Sequence, residues 1–197
     1  MPALARADAA PPVWHAHVDS VVHVVGAVTP SEGPMVLVGH SAAGRLIPLV
    51  AERLEAAACV FVDAQLPGFP PPTPDADDWF LTHVRSLAVD GVLPPWSEWW
   101  GAPAWEGLVP DPARRATLES ALPRMPLANV EEVPPSSTAW DGPAAYLRLS
   151  ALYLDEAAEA ARRGWPVAHL DGGHLHFTVA EAAVADALID LARRLGA

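Results

Sequence analysis

Apolar and polar residues recur along this chain with two different periods, and the switches between them predict the elements. Val18, Val21, Val22 and Val25 fall at i, i+3, i+4 and i+7, which predicts an amphipathic helix over about residues 15–28. "TPSEGP" breaks it. The run "MVLVG" at residues 35–39 is short, β-branched and bounded by turn residues, as a buried parallel strand requires. Leu46, Val50 and Leu54 then share one face of a helix predicted over residues 42–57, with a bend expected at Pro48. "ACVFVDAQL" reads as a second buried strand.

The pattern changes over residues 67–143, which hold 15 of the 22 prolines and five of the eight tryptophans before Trp140. This stretch is predicted to be an inserted, helical lid. "DADDWFLTHVRSLAVDG" and "DPARRATLESAL" supply short helices, the second opened by Asp111 as N-cap with Pro112 at the first helical position. Beyond the insertion, "AAYLRLS" is a third strand, "DEAAEAARRG" a helix closed by Gly164, and "PVAHL" a fourth strand. A closing helix starts near Val179, with Thr178 and Glu181 as a capping box and Val184, Leu188, Leu191 and Leu195 as its buried stripe. Strands alternating with helices predict an α/β fold, a mostly parallel sheet with flanking helices, in one domain of residues 1–197 carrying the 67–143 insertion. No internal repeat is present.

Composition narrows the function. Twelve Lys plus Arg against 24 Asp plus Glu give a formal charge of −12, which repels nucleic acid and anionic membrane surfaces. The single Cys59 lies in an apolar run, reads as core filler and cannot form an internal disulfide. The first residues lack an apolar stretch of signal-peptide length and no later apolar run approaches a membrane span, so a cytoplasmic location is expected. "GHSAAGR" lacks the Lys-Ser/Thr pair of a phosphate loop, and His15/His17 and His174/His176 are weak metal pairs. Neither cofactor nor metal is expected; the expected partner is a small-molecule substrate.

The chemistry concentrates in "VLVGHSAAG". A serine between a strand end and a helix start takes a strained backbone conformation that needs small residues two positions either side, here Gly39 and Ala43. The amide of Ala42 then lies at a helix N-terminus, where it can help hold an oxyanion. The pentapeptide alone also reads as an ordinary turn. The second segment is "VAHLDGGHLHFTVAEAAVADAL", a strand, Gly-Gly-His and a helix. A serine needs a neutral imidazole to take its proton during attack. His174 and His176 are the candidates for that base.

Together these segments resemble the α/β-hydrolase superfamily, with its nucleophile elbow after a strand and its histidine loop before the closing helix. The resemblance implies Ser41 as nucleophile, His174 as base ahead of His176, and the Ala42 amide as one oxyanion donor. It also implies an acid in the loop after "AAYLRLS". Tyr153 stands about where that acid is expected. Asp155 is the nearest carboxylate, equally suited to cap the helix that follows. Asp63, ending "VFVD", is the alternative acid, Asp141 a more distant one, and Glu156 is assigned to a solvated helix face. A lid roofing the nucleophile would bring tryptophans to an apolar substrate, so His40, Trp79, Trp99 and Trp100 are the expected substrate contacts. The same tryptophans, with Trp96 and Trp105, could simply pack the insertion.

The resemblance covers the C-terminal part of the family's fold. The 34 residues before "MVLVG" hold a helix and little else. The family's earlier strands are therefore expected to be missing, leaving "MVLV" as an apolar open edge through which the chain would form a homo-oligomer, unless an upstream segment or another element covers it. The expected activity is a serine hydrolase cleaving a carboxylic ester, thioester or lactone through an acyl-enzyme. The competing expectation is a non-hydrolytic binding or isomerase-like module on a degenerate form of the fold.

Overall fold

The computed structural model describes residues 12–27, 33–69, 79–132, 134 and 140–197. Helix α1 (Val13–Ala27) buries Val13 and Val18. Strand β1 (Val36–Ser41) runs into a 3-10 turn at Ala42–Arg45, and only then does α2 (Ile47–Leu54) begin, with Pro48 in its first turn. The continuous helix expected from Ala42 is thus divided. Proline lacks an N–H, and the first turn of a helix is where none is needed, so a new helix starts at Ile47 with Pro48 in its first turn rather than one helix bending there.

Strand β2 (Ala58–Ala64) is buried at every residue. Then come α3 (Trp79–Leu87), β3 (Val92–Leu93), α4 (Ala102–Leu108), α5 (Pro112–Ala121), β4 (Met125–Pro126) and α6 (Ala128–Glu131). Asp111 caps α5 as its sequence predicts, accepting the Arg114 N–H at 2.7 Å. The chain closes with β5 (Ala144–Arg148), α7 (Leu154–Arg162), β6 (Val167–His169) and α8 (Glu181–Arg194). The capping box expected for α8 does not form: Ala180 occupies the N-cap, and the Thr178 hydroxyl donates to the Leu175 carbonyl at 2.8 Å.

Two compact units result. One comprises the described residues up to Val24 and those between Pro70 and Val133; the other comprises the described residues within Val25–Phe69 and Pro134–Ala197. In the second, β1, β2, β5 and β6 form a parallel sheet in that order, with Phe61 of β2 opposite Tyr146 of β5. Side chains alternate between its faces, as strand geometry dictates. Cys59, Phe61, Ala144 and Tyr146 pack with Ile47 and Ala51 of α2 and Ala157 and Ala160 of α7. Val60, Val62, Ala145 and Leu147 pack on the other side with Val184 and Leu191 of α8. Each large apolar side chain so buried contributes about 1.5–3 kcal/mol. The predicted α/β architecture, a parallel sheet with flanking helices, is therefore present.

Strand β1 lies at one edge of the sheet, without a strand partner on its outer side among the described residues, and Val38 is 51% exposed there. The other unit has its own core around Val84, Leu93 and Trp99. No helix among the described residues is long and apolar enough to cross a membrane.

Candidate active site

All the buried polar side chains among the described residues, Asp63, Ser150 and His174, meet at the C-terminal ends of the parallel strands. Open α/β sheets place their ligand crevices at that end. Ser41 ends β1 with φ 58° and ψ −132°, a left-handed conformation that costs a non-glycine residue about 1–3 kcal/mol. Close packing holds the turn. A Cβ on Gly39 would come within 2.6 Å of the Ile47 side chain, and one on Gly44 within 2.1 Å of the Gln65 carbonyl oxygen. The tight small-residue positions are therefore Gly39 and Gly44; Ala43, expected to share that duty, is exposed.

Asp63 is strained in the same way, with φ 42°, and it forms a bulge at the end of β2. His40 pairs with Val62 and Ser41 with Ala64, so Asp63 is skipped in the register and its side chain is re-aimed. Tyr146 fixes the strand just beyond it: its hydroxyl donates to the Ala64 carbonyl at 2.8 Å and accepts the Ala64 N–H at 2.9 Å.

The Asp63 carboxylate is fully buried and amply satisfied. One oxygen accepts the Leu149 and Ser150 N–H groups, each at 2.9 Å; the other accepts the Ser150 hydroxyl at 2.6 Å and His174 Nδ1 at 2.8 Å. Burial by itself would raise its pKa, but the hydrogen bonds from His174, Ser150 and Leu149 prevail and hold the carboxyl below its ordinary value. An ionised carboxylate only accepts, so His174 carries its proton on Nδ1 and turns the Nε2 lone pair outward. Nε2 stands 3.0 Å from Ser41 Oγ. The arrangement is an unbroken hydrogen-bonded relay from a hydroxyl through an imidazole to a buried carboxylate.

No family model and no curated protein matches the sequence. Among solved structures, tomato methylketone synthase I, both as a variant complexed with β-ketoheptanoate and with 2-tridecanone, is similar with a TM-score of 0.58 and 16% identity, over 92% of this chain and 79% of that one. A pyrethroid hydrolase is similar with a TM-score of 0.56 and 14% identity, over 89% of this chain and 77% of its own. The fold is that of the α/β-hydrolases.

Within that fold, the residues singled out by sequence separate clearly. Ser41 and His174 come together, and the carboxylate on His174 is Asp63, not Asp155. Asp155 is exposed in the first turn of α7, where Tyr153 is the N-cap residue, so it neither meets the imidazole nor caps the helix. Asp141 is exposed too, whereas Glu156 is half-buried rather than solvated, and burial raises its carboxyl pKa. His176 opens a 3-10 turn with its ring against Gly172, where a Cβ would lie 2.3 Å from the imidazole, which accounts for the glycine there.

His40 turns inward. Its ring packs on those of His174 and Phe177, and its Nε2 donates to the His174 carbonyl at 2.9 Å. Burial first and the neighbouring His174 second lower its pKa to about 4. Trp79, Trp99 and Trp100 belong to the other unit. Trp99 is core there, its indole N–H donating to the Pro94 carbonyl at 2.9 Å, while Trp100 packs on Phe80 and His83 and Trp79 is 71% exposed. Cys59 is core filler, and burial pushes its thiol up to about 12. Among the described residues, no cluster of His, Cys, Asp or Glu could hold a metal ion.

Three residues of the site escaped the sequence reading. Ser150 and Tyr146 carry no motif. Tyr153, marked only as standing where an acid was expected, stacks on His174 with ring centroids 5.2 Å apart and an interplanar angle of 14°. Asp63 did carry a signal, because a carboxylate closing an otherwise apolar strand must be buried with partners.

Proposed function

We propose that the protein is a serine hydrolase that cleaves a carboxylic ester, thioester or lactone bearing an apolar group, through an acyl-enzyme. The supporting observation is the continuous relay, Ser41 Oγ to His174 Nε2 at 3.0 Å and His174 Nδ1 to Asp63 at 2.8 Å. In this reading Ser41 Oγ attacks the carbonyl carbon as its proton passes to Nε2. The carbonyl electron pair moves onto oxygen, which the Ala42 amide helps to hold. Collapse breaks the bond to the leaving atom, which takes the proton back from Nε2, and water repeats the sequence to release the acid. Asp63 keeps the imidazole in the productive tautomer and stabilises the imidazolium.

The apolar preference is supported by Leu152 and Leu154, 76% and 53% exposed on either side of Tyr153. The pyrethroid hydrolase similarity is consistent with hydrolysis on this fold. A fluorophosphonate probe tests the reading directly. The protein should be labelled once, at Ser41, and Ser41→Ala should lose both labelling and turnover of short p-nitrophenyl esters while remaining folded. Turnover retained in Ser41→Ala would refute the mechanism.

A further inference from the structure

The Ser41 oxygen has a second partner that the relay does not use: the Tyr153 hydroxyl, 3.3 Å away. The direction of this bond follows from the neighbouring ones. Asp63 accepts from Nδ1–H, so Nε2 accepts from the Ser41 O–H; the Ser41 oxygen then has only lone pairs left, and the phenol must donate. Tyr153 is held for this task from two sides. Its ring stacks on the His174 imidazole, and it ends the 3-10 turn Ala151–Tyr153, which Ser150 opens by accepting the Leu152 N–H at 3.3 Å. The hydroxyl of Ser150 is the one that donates to Asp63. Burial raises the phenol's pKa, so it remains a neutral donor throughout the range in which an esterase works.

We propose that Tyr153 is a further catalytic residue, whose hydroxyl donates to the leaving-group oxygen as the tetrahedral intermediate collapses and so fits the site to esters of basic alkyl alcohols; this rests on the hydrolase reading above. The argument is one of sides. In collapse the carbon–oxygen bond to the alcohol breaks, and the departing oxygen receives the proton that His174 Nε2 took from Ser41, so that oxygen must lie beside Nε2. Tyr153 stacks its ring on the imidazole and brings its hydroxyl to 3.3 Å from the serine oxygen, so the phenol and Nε2 both reach the one reacting oxygen. The departing oxygen thus meets two donors, the imidazolium N–H, which gives up its proton, and the phenol O–H, which keeps its own. Help of this kind matters most where negative charge accumulates on a basic oxygen. It matters little for p-nitrophenolate, and little for a thiolate, which accepts hydrogen bonds weakly.

The test is a series of butyrate esters sharing one acyl group, with leaving groups running from p-nitrophenol through phenol to ethanol. For Tyr153→Phe, which keeps the ring stack, kcat/KM on ethyl butyrate should fall about 30-fold, the effect of one lost hydrogen bond to developing charge, and on p-nitrophenyl butyrate about threefold or less. A 3-fluorotyrosine at position 153, a stronger donor of nearly the same shape, should raise the ratio of alkyl to aryl rates. Equal losses across the series would reduce Tyr153 to packing on His174 and overturn the proposal, as would a wild-type protein labelled by fluorophosphonate yet inactive on every alkyl ester. Absence of labelling in the wild type would instead refute the hydrolase reading itself, and this inference with it.

Discussion

The two units of this protein bury different things. The helical unit fills its core with Val84, Leu93 and Trp99, against which Phe80, Trp96 and Trp100 pack. Aromatic rings in mutual contact, such as Trp100 stacked on Phe80 at 6.0 Å, ask only for volume to be filled. The sheet unit has a larger apolar core, and inside it sit the buried polar groups of the described chain, Asp63, Ser150 and His174, joined in one network. Burying a carboxylate is costly unless its partners are fixed, and two of the chain's strained residues, Ser41 and Asp63, fix them here. A core that only packs tolerates approximate shape. One that also orients a hydrogen-bonded relay needs its backbone specified at single positions.

The sharpest way to break this contrast is to neutralise the relay's acid. In Asp63→Asn the amide nitrogen would face His174 Nδ1, donor against donor, and the imidazole would have to protonate Nε2 and lose its capacity as a base. A drop in kcat of about 10³–10⁴-fold is expected on p-nitrophenyl esters. Asp155→Asn, on the exposed first turn of α7, should stay within about twofold of wild type, since it removes at most a small helix-dipole contribution. Steady-state kinetics of the two variants decide between the carboxylates, and a larger loss in Asp155→Asn would overturn the assignment of Asp63.

Next in size are substitutions of a single methyl group or side chain in each unit. Gly44→Ala would push a Cβ to within 2.1 Å of a backbone oxygen, which no side-chain rotation relieves. It should cost at least about 3 kcal/mol and, because Gly44 follows the turn that carries Ser41, slow fluorophosphonate labelling as well. Leu93→Ala, in the core of the helical unit, should cost about 2–5 kcal/mol through the cavity it leaves. Chemical denaturation with labelling rates measured on the same samples separates the two. If Gly44→Ala lost stability without slowing the labelling of its folded fraction, the turn that carries Ser41 would not depend on this close approach.

Much of this organisation was legible in the sequence because period and punctuation are local. The β-branched run before Gly39, the Asp111-Pro112 helix start and the Gly164 stop each need only a few residues to declare themselves, and each is where the pattern puts it. The closing helix shows the limit of such signals. Thr178 and Glu181 have the spacing of a capping box, yet a 3-10 turn at His176–Thr178 ties the Thr178 hydroxyl to Leu175 instead. The site was legible by half for a related reason. Ser41 and His174 lie in turns with recognisable sequence, whereas the carboxylate that meets His174 depends on how one strand end faces the next. The bulge that skips Asp63 in the pairing of β1 with β2 cannot be read from spacing, and distance along the chain favoured Asp155. Ser150 and Tyr146 reach Asp63 and Ala64 through contacts 87 and 82 residues away in sequence.

The smallest effect expected is also the one that probes the sheet unit's polar core without touching the relay's three members. His40 has its pKa lowered from 6.5 to about 4, by burial first and by His174 second. Between these values the unfolded chain holds a proton on this ring that the folded protein does not, so folding releases it. Stability should therefore fall as pH is lowered from 6.5 to 4, by no more than about 3 kcal/mol in total. The depressed pKa of Asp63 has a separate window: its contribution is complete above the ordinary carboxylate value of 3.8 and is lost as pH falls through the lower folded value. His40→Gln removes the titrating ring while keeping a hydrogen-bond donor for the His174 carbonyl. Urea midpoints taken from pH 7 down to pH 4 should fall in the wild type and lie on a flatter line in the variant, while Asp63→Asn should leave the slope in that interval nearly unchanged. A His40→Gln slope as steep as that of the wild type would mean that the imidazole of His40 takes up its proton in the folded protein as readily as in the unfolded chain, and that its packing against His174 does not exclude the charged form.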